Sequence, residues 1–202
     1  MRLVAVSAGL SVPSSTRLLA DRLTEAVREG LGDQNRTLEV EVIELRTLAV
    51  AIANHLVTGF PPPPLAAAIT ALTGADGVIA VTPVFSASYS GLFKSFFDLI
   101  DPDALAGKPV LLAATGGTGR HSLVLEHALR PLFAFLRAVT LPTAVYAASE
   151  DWGSGSDTYT QGLPARVRRA GAEMASMLVS GATGPVQGRA ADGKQLSDLR
   201  LD

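Results

Sequence analysis

The sequence predicts an α/β fold in which one parallel sheet carries helices on both faces. Two observations lead to it. Short β-rich runs alternate with longer segments of helical periodicity, the pattern of successive β-α-β units. Two of those runs, Gly77–Thr82 and Pro109–Ala114, are almost continuously apolar, as strands covered on both faces are.

Leu3–Ser7 is the first strand, and a helix over 16–31 follows, with Leu18, Leu19, Leu23, Ala26 and Val27 at helical spacing and Arg22, Glu25 and Arg28 facing out. Leu38–Leu45 alternates Val40, Val42 and Leu45 against Glu39, Glu41 and Glu44, so this second strand has one wet face and reads as an edge. Residues 46–63, running into Pro61–Pro64, read as an irregular connection, either a lid or an inert spacer. A helix over 64–74 leads to the strand at Gly77–Thr82, and a helix over 90–100 leads to the strand at Pro109–Ala114. A helix over 122–138, a strand at Thr143–Ala148 and a helix over 164–180 complete the pattern. Five strands alternating with five helices predict a flavodoxin-like three-layer sandwich with a parallel sheet of order 2-1-3-4-5. That order puts a ligand site where the first and third strands part, at their carboxyl ends. Residues 1–180 read as the one domain, and the Gly-rich tail 181–202 as disordered or laid on a neighbouring subunit.

Composition narrows the function classes. A chain of 202 residues with net charge -2 is long enough for one compact domain. Although 48% of residues are hydrophobic, charge or Gly interrupts every apolar run before the roughly 18 residues needed to span a bilayer. Met1–Val6 runs directly into a strand without the apolar region and cleavage site of a secretory leader, so the expected location is the cytoplasm. The absence of Cys excludes disulfides, thiolate catalysis and Cys-based metal sites, and His55, His121 and His127 are too scattered for a metal centre. No basic stripe is present to neutralise a phosphate backbone, so nucleic acid is not an expected partner.

Three loops carry chemistry. After the first strand, Ser7-Ala8-Gly9-Leu10-Ser11-Val12-Pro13-Ser14-Ser15-Thr16-Arg17 runs into a helix. Exposed N–H groups at a helix start, the hydroxyls of Ser11, Ser14, Ser15 and Thr16, and the Arg17 guanidinium together suit a phosphate monoester. The alternative is that Ser14 or Ser15 is simply an N-cap. Neither a Gly-x-Gly-x-x-Gly nor a P-loop spacing is present, which favours a mononucleotide. After the third strand comes Thr82-Pro83-Val84-Phe85-Ser86, then Ser90-Gly91 opening a helix with Lys94 and Asp98 one turn apart. Lys94 and Asp98 read as a structural surface pair. After the fourth strand comes Thr115-Gly116-Gly117-Thr118, where Gly lets a ligand approach the backbone closely; by itself such a segment is also an ordinary turn.

The Thr-Pro-aromatic turn with its Ser-Gly helix start, and the Thr-Gly-Gly segment, resemble the NAD(P)H-dependent FMN reductase family over residues 1 to about 150. Within it the chain looks closest to reductases that supply reduced FMN to two-component monooxygenases. The resemblance implies FMN and NAD(P)H as cofactors, with hydride passing from nicotinamide to flavin N5 and no protein residue acting as a general acid. It implies that Pro83, Val84, Phe85 and Ser86 meet the flavin ring edge, and that Thr115, Gly116, Gly117 and Thr118 meet its pyrimidine side. One departure is visible in the first loop, where the family often has Gly-Ser-x-Arg and this chain has Leu10 and Ser11 after Gly9. Alternatives on the same fold are a flavin-dependent quinone, azo or metal-ion reductase and a non-catalytic electron carrier. Near-zero net charge argues against the carrier, and Ala8, Gly9, Thr82 and Pro83 stand where a phosphoacceptor receiver needs carboxylates.

Two features point to self-association. Helices 90–100 and 122–138 carry Phe93, Phe96, Phe97, Phe133 and Phe135, more apolar surface than one helix face buries. Pro131 in the middle of the second helix removes an N–H and forces a kink or a π-type bulge near His127. The family resemblance implies a homodimer or homotetramer, with His127 either at a subunit border or, beside a simple proline kink, on a wet face.

Overall fold

A computed structural model describes residues 1–32, 37–152 and 162–181. In it β1 (Arg2–Ser7), β2 (Glu39–Glu44), β3 (Gly77–Phe85) and β5 (Pro109–Gly116) form the parallel body of a sheet ordered β2-β1-β3-β5. Its far edge is split between β6 (Val139–Thr140) and β7 (Val145–Ala148), both parallel to β5. The helices α1 (Ser15–Leu31) and α6 (Leu163–Gly181) cover one face; α2 (Leu45–Thr58), α3 (Pro63–Thr73), α4 (Gly91–Phe97) and α5 (Arg130–Phe135) cover the other. Two buried clusters, one per face, make the three-layer sandwich that the sequence predicts.

Among the described residues the sheet has 7 strands where the pattern predicts five. The first added strand is β4 (Ser88–Tyr89), a hairpin return that pairs antiparallel with the tip of β3. The second arises because the edge strand is interrupted. Leu141-Pro142-Thr143 stands between β6 and β7, and Pro142 has no N–H to give the ladder. The break is pinned from both sides: the Arg130 guanidinium donates to the carbonyls of Leu141 (2.9 Å) and Pro142 (2.8 Å), while Glu173 accepts from the Thr143 N–H at 2.9 Å.

Most of residues 46–63 is helical rather than irregular, and only 59–62 connect two helices. Leu45, Leu48 and Ile52 recur at helical spacing, and α2 runs to Thr58, where Gly59 ends it with φ 74°. The prolines then break and restart the chain, with Pro63 and Pro64 in the first turn of α3, where a missing N–H costs nothing. The 90–100 helix is shorter than its apolar run, ending at Phe97. In the 122–138 segment a π-helical turn occupies Leu125–Leu129 immediately before Pro131, and α5 follows. The Arg130 N–H reaches back five residues to Leu125, so the extra residue is absorbed just ahead of the proline. The tail beyond Gly181 lies outside the described residues.

Candidate functional site

The carboxyl ends of β1, β3, β5 and β7 open into a cavity of about 540 Å³. Its first wall is the phosphate-type loop, which contributes Gly9, Leu10, Ser11, Ser15 and Thr16. Ser14 is the N-cap of α1, its hydroxyl accepting from the Arg17 N–H at 3.2 Å, so the capping reading applies to Ser14 while Ser11, Ser15 and Thr16 face the cavity. The N–H groups of Ser15 and Thr16 stand in the first turn of α1, where no intrahelical carbonyl reaches them. Arg17 is turned away from the lining. Its guanidinium donates to Asp21 (2.8 Å) and Glu44 (2.6 Å), and the bond to Asp21 is the main cause holding its pKa above the ordinary arginine value.

The second wall is the end of β3. Pro83, Val84 and Phe85 line the cavity, and Ser86 sits beyond them at the hairpin tip. Ser86 and Ala87 both take left-handed backbone, with φ 48° and 66°, so a two-residue turn closes the β3–β4 hairpin without a glycine. Strain of this kind persists where surrounding structure fixes it. Here the fixing group is the buried Thr82 hydroxyl, which accepts from the Ser90 N–H at 3.0 Å, while the Ser90 hydroxyl caps α4 by accepting from the Phe93 N–H.

The third wall is the Gly loop after β5, where Thr115, Gly116 and Gly117 line the cavity and Thr118 does not. The two glycines serve different ends. A Cβ on Gly116 would meet the Tyr146 hydroxyl at 2.1 Å, whereas a Cβ on Gly117 would meet nothing within 4 Å and would enter open space. Tyr146, whose phenol pKa burial raises, stays protonated and donates to the Thr118 carbonyl at 2.7 Å, fixing the loop from below. The buried hydroxyls of Thr16 and Thr115 bond each other at 2.9 Å, which ties the start of α1 to the end of β5.

The fourth wall was not legible as a site. Ser149 and Trp152, from a 3₁₀ turn after β7, complete the lining. Only their position after the last strand signals them. Among these lining residues none carries a carboxyl, amine, imidazole or guanidinium group, so the cavity offers hydroxyls, backbone N–H groups and apolar surface. That donor set, with bare Gly117 leaving room over the loop, fits a flat ring bearing a phosphate tail and offers no acid or base.

A second cavity, of about 590 Å³, lies away from the strand ends, between α4 and the π-turn. Lys94, Asp98, His127, Pro131 and Phe135 are on its lining, and Lys94 and Asp98 form the expected ion pair. Phe93, Phe96, Phe97 and Phe133 are buried within the chain itself, so the aromatic surplus that the sequence suggests shrinks to Phe135, 69% exposed, with Leu123 nearby in the chain at 62%. His127 is exposed at the rim. No helix among the described residues is long and apolar enough to cross a membrane.

Residues 1–153 match the model of the NADPH-dependent FMN reductase family. An FMN reductase (NADPH) of Pseudomonas aeruginosa is 44% identical over 183 residues, covering 89% of this chain and 93% of that protein. An NADH-dependent FMN reductase of Pseudomonas fluorescens, SfnF, is 43% identical over 88% of this chain and 91% of its own length. Among solved structures, an oxidoreductase from Corynebacterium diphtheriae superposes with a TM-score of 0.83 at 45% identity, covering 89% of this chain and 97% of that one. The apo form of an NADH:FMN oxidoreductase gives 0.75 at 27% identity, over 91% of each chain.

Proposed function

The chain belongs to the NADPH-dependent FMN reductase family, and on that premise we propose that the strand-end cavity is where it binds FMN for reduction by NAD(P)H. The observation that carries this reading is the pairing of a hydroxyl-rich helix start with bare Gly117 across one cavity that holds no titratable side chain. Ser11, Ser15 and Thr16, with the first N–H groups of α1, hold the phosphate, and Ser14 shapes that turn as its cap. Arg17, tied to Asp21 and Glu44, braces the start of α1 against the end of β2 and makes no direct contact. Pro83, Val84, Phe85 and the strained Ser86 tip border the ring, and the Thr115–Thr118 segment borders its pyrimidine side.

Bound FMN supplies the redox chemistry, taking up a hydride at N5 from the nicotinamide. The chain's own part is to bind, orient and shield. N–H groups of the Gly loop would be available to the reduced ring, and the Thr16–Thr115 bond holds the start of α1 and the end of β5 in register. Among the described lining residues none is a carboxylate, amine, imidazole or guanidinium, so their part in the rate would be to hold flavin and nicotinamide in position.

The reading extends to the chain's surroundings. A cytoplasmic homodimer or homotetramer, built over exposed Phe135 and Leu123, hands reduced FMN to a flavin-dependent monooxygenase; the family likeness and the open second cavity support this part. The test is anaerobic stopped-flow mixing with FMN, FAD or riboflavin against NADH and NADPH, followed by gel filtration for retained flavin. Saturable flavin reduction by a nicotinamide is the expected result, and no reduction by either nicotinamide overturns it.

A further inference from the structure

We propose that Trp152, backed by the guanidinium of Arg22, is a flavin-contacting residue that sets how tightly the strand-end cavity holds FMN. This rests on the reading of that cavity as the flavin site. Trp152 is the one tryptophan of the chain. It ends the Ser149–Trp152 turn, is half-buried against the α1 and α6 core, and lines the cavity.

Topology gives it a particular place. In the sheet, β5 lies between β3 and β7, so the Gly loop at the end of β5 is flanked by Phe85 from β3 on one side and Trp152 from the β7 turn on the other. Those two are the aromatic members of the lining, and the floor between them, Thr115-Gly116-Gly117, is small. A flat ring lying over that floor is bracketed by aromatic surface, an arrangement suited to stacking or edge contact.

The indole is held in place before any ligand arrives. The Arg22 guanidinium carbon sits 4.9 Å from its ring centroid, a cation–π distance. Asp151 accepts from the Ala148 N–H at 2.8 Å and from Arg166 at 2.7 Å, which fastens the turn to β7 and α6. Glu150 accepts from the Gly119 N–H at 3.3 Å, which links the turn to the Gly loop it flanks. Arg22 touches no part of the cavity and acts through the indole, as a positioning residue.

The experiment compares wild type with Trp152→Phe, Trp152→Ala and Arg22→Ala by FMN titration, thermal melting and the excited-state lifetime of bound FMN. An indole in contact with flavin quenches its emission by electron transfer, which phenylalanine does not. Trp152→Ala is expected to weaken FMN by about tenfold, the weight of one lost aromatic contact. Trp152→Phe should keep affinity within about threefold, its ring replacing most of the contact area, and should lengthen the bound lifetime. Arg22→Ala should lower the steady-state anisotropy of tryptophan emission in the flavin-free protein and weaken FMN by less than Trp152→Ala does. Unchanged affinity in Trp152→Ala together with an unchanged lifetime in Trp152→Phe, while wild type binds FMN, overturns the role of Trp152 and leaves the cavity reading standing. Failure of wild type to bind FMN at all overturns the cavity reading and this inference with it.

Discussion

The strand-end cavity and the cavity between α4 and the π-turn have nearly the same volume, about 540 and 590 Å³, and differ in the elements and the side chains that wall them. The first takes its walls from four strand ends, with small side chains, hydroxyls and backbone N–H groups that point inward. The second is walled largely by helix side chains, and its charged members Lys94 and Asp98 are spent on each other. Volume therefore does not distinguish the two cavities; the groups on their walls do.

Substitutions can break that contrast, beginning with the largest expected effect. Phe97 sits beneath the second cavity with its ring 4.6 Å from that of Phe93 and 4.9 Å from that of Phe133. Phe97→Ala should cost about 3–5 kcal/mol in chemical denaturation while the folded fraction keeps its FMN affinity. A matching loss of FMN affinity would show the two cavities to be coupled. Next, Thr115→Val keeps the shape of the side chain and strands the buried Thr16 hydroxyl, so stability should fall by about 1–3 kcal/mol and FMN binding with it. Here fold and site share one bond, and a stability loss without a binding loss would detach the Thr pair from the site.

Gly117→Ala sharpens the contrast from the other side. Its Cβ enters open space, so the melting temperature should hold while FMN weakens by about tenfold, roughly 1.4 kcal/mol. Unaltered FMN affinity would mean that the ring does not approach this backbone. The smallest effect on the folded chain is expected for Phe135→Ser, within about 0.5 kcal/mol because the ring is exposed. Light scattering should nonetheless report a lower mass than wild type, and an unchanged mass would remove Phe135 from any subunit contact.

The difference between the cavities also governs what could be read from sequence. Period-2 and near-continuously apolar runs specify β1, β2, β3 and β5, and loops that follow strands are easy to find, so three of the four cavity walls were legible. The fourth was not, because Ser149 and Trp152 belong to no recognisable loop motif and are held at the cavity by contacts distant in sequence, Asp151 with Arg166, Glu150 with Gly119 and Trp152 with Arg22. Residue type alone also misdirects. Arg17 has the right charge for phosphate, but Asp21 one turn along and Glu44 across the sheet edge claim it, and only the folded chain brings Glu44 there. Likewise Pro61–Pro64 dominate the reading of 46–63, although the weaker Leu45, Leu48, Ile52 spacing before them is what decides the structure. The π-turn was within reach because Pro131 imposes it locally, whereas the split of the last strand depends on Arg130 and Glu173 converging on residues 141–143 from two other helical segments.

A crystal structure of the protein grown with FMN decides between the two cavities. Flavin is expected in the strand-end cavity, its phosphate within hydrogen-bond distance of the Ser15 and Thr16 N–H groups and its ring against the Gly116–Gly117 backbone. Flavin seated instead between α4 and the π-turn, or a phosphate placed away from the start of α1, would contradict it.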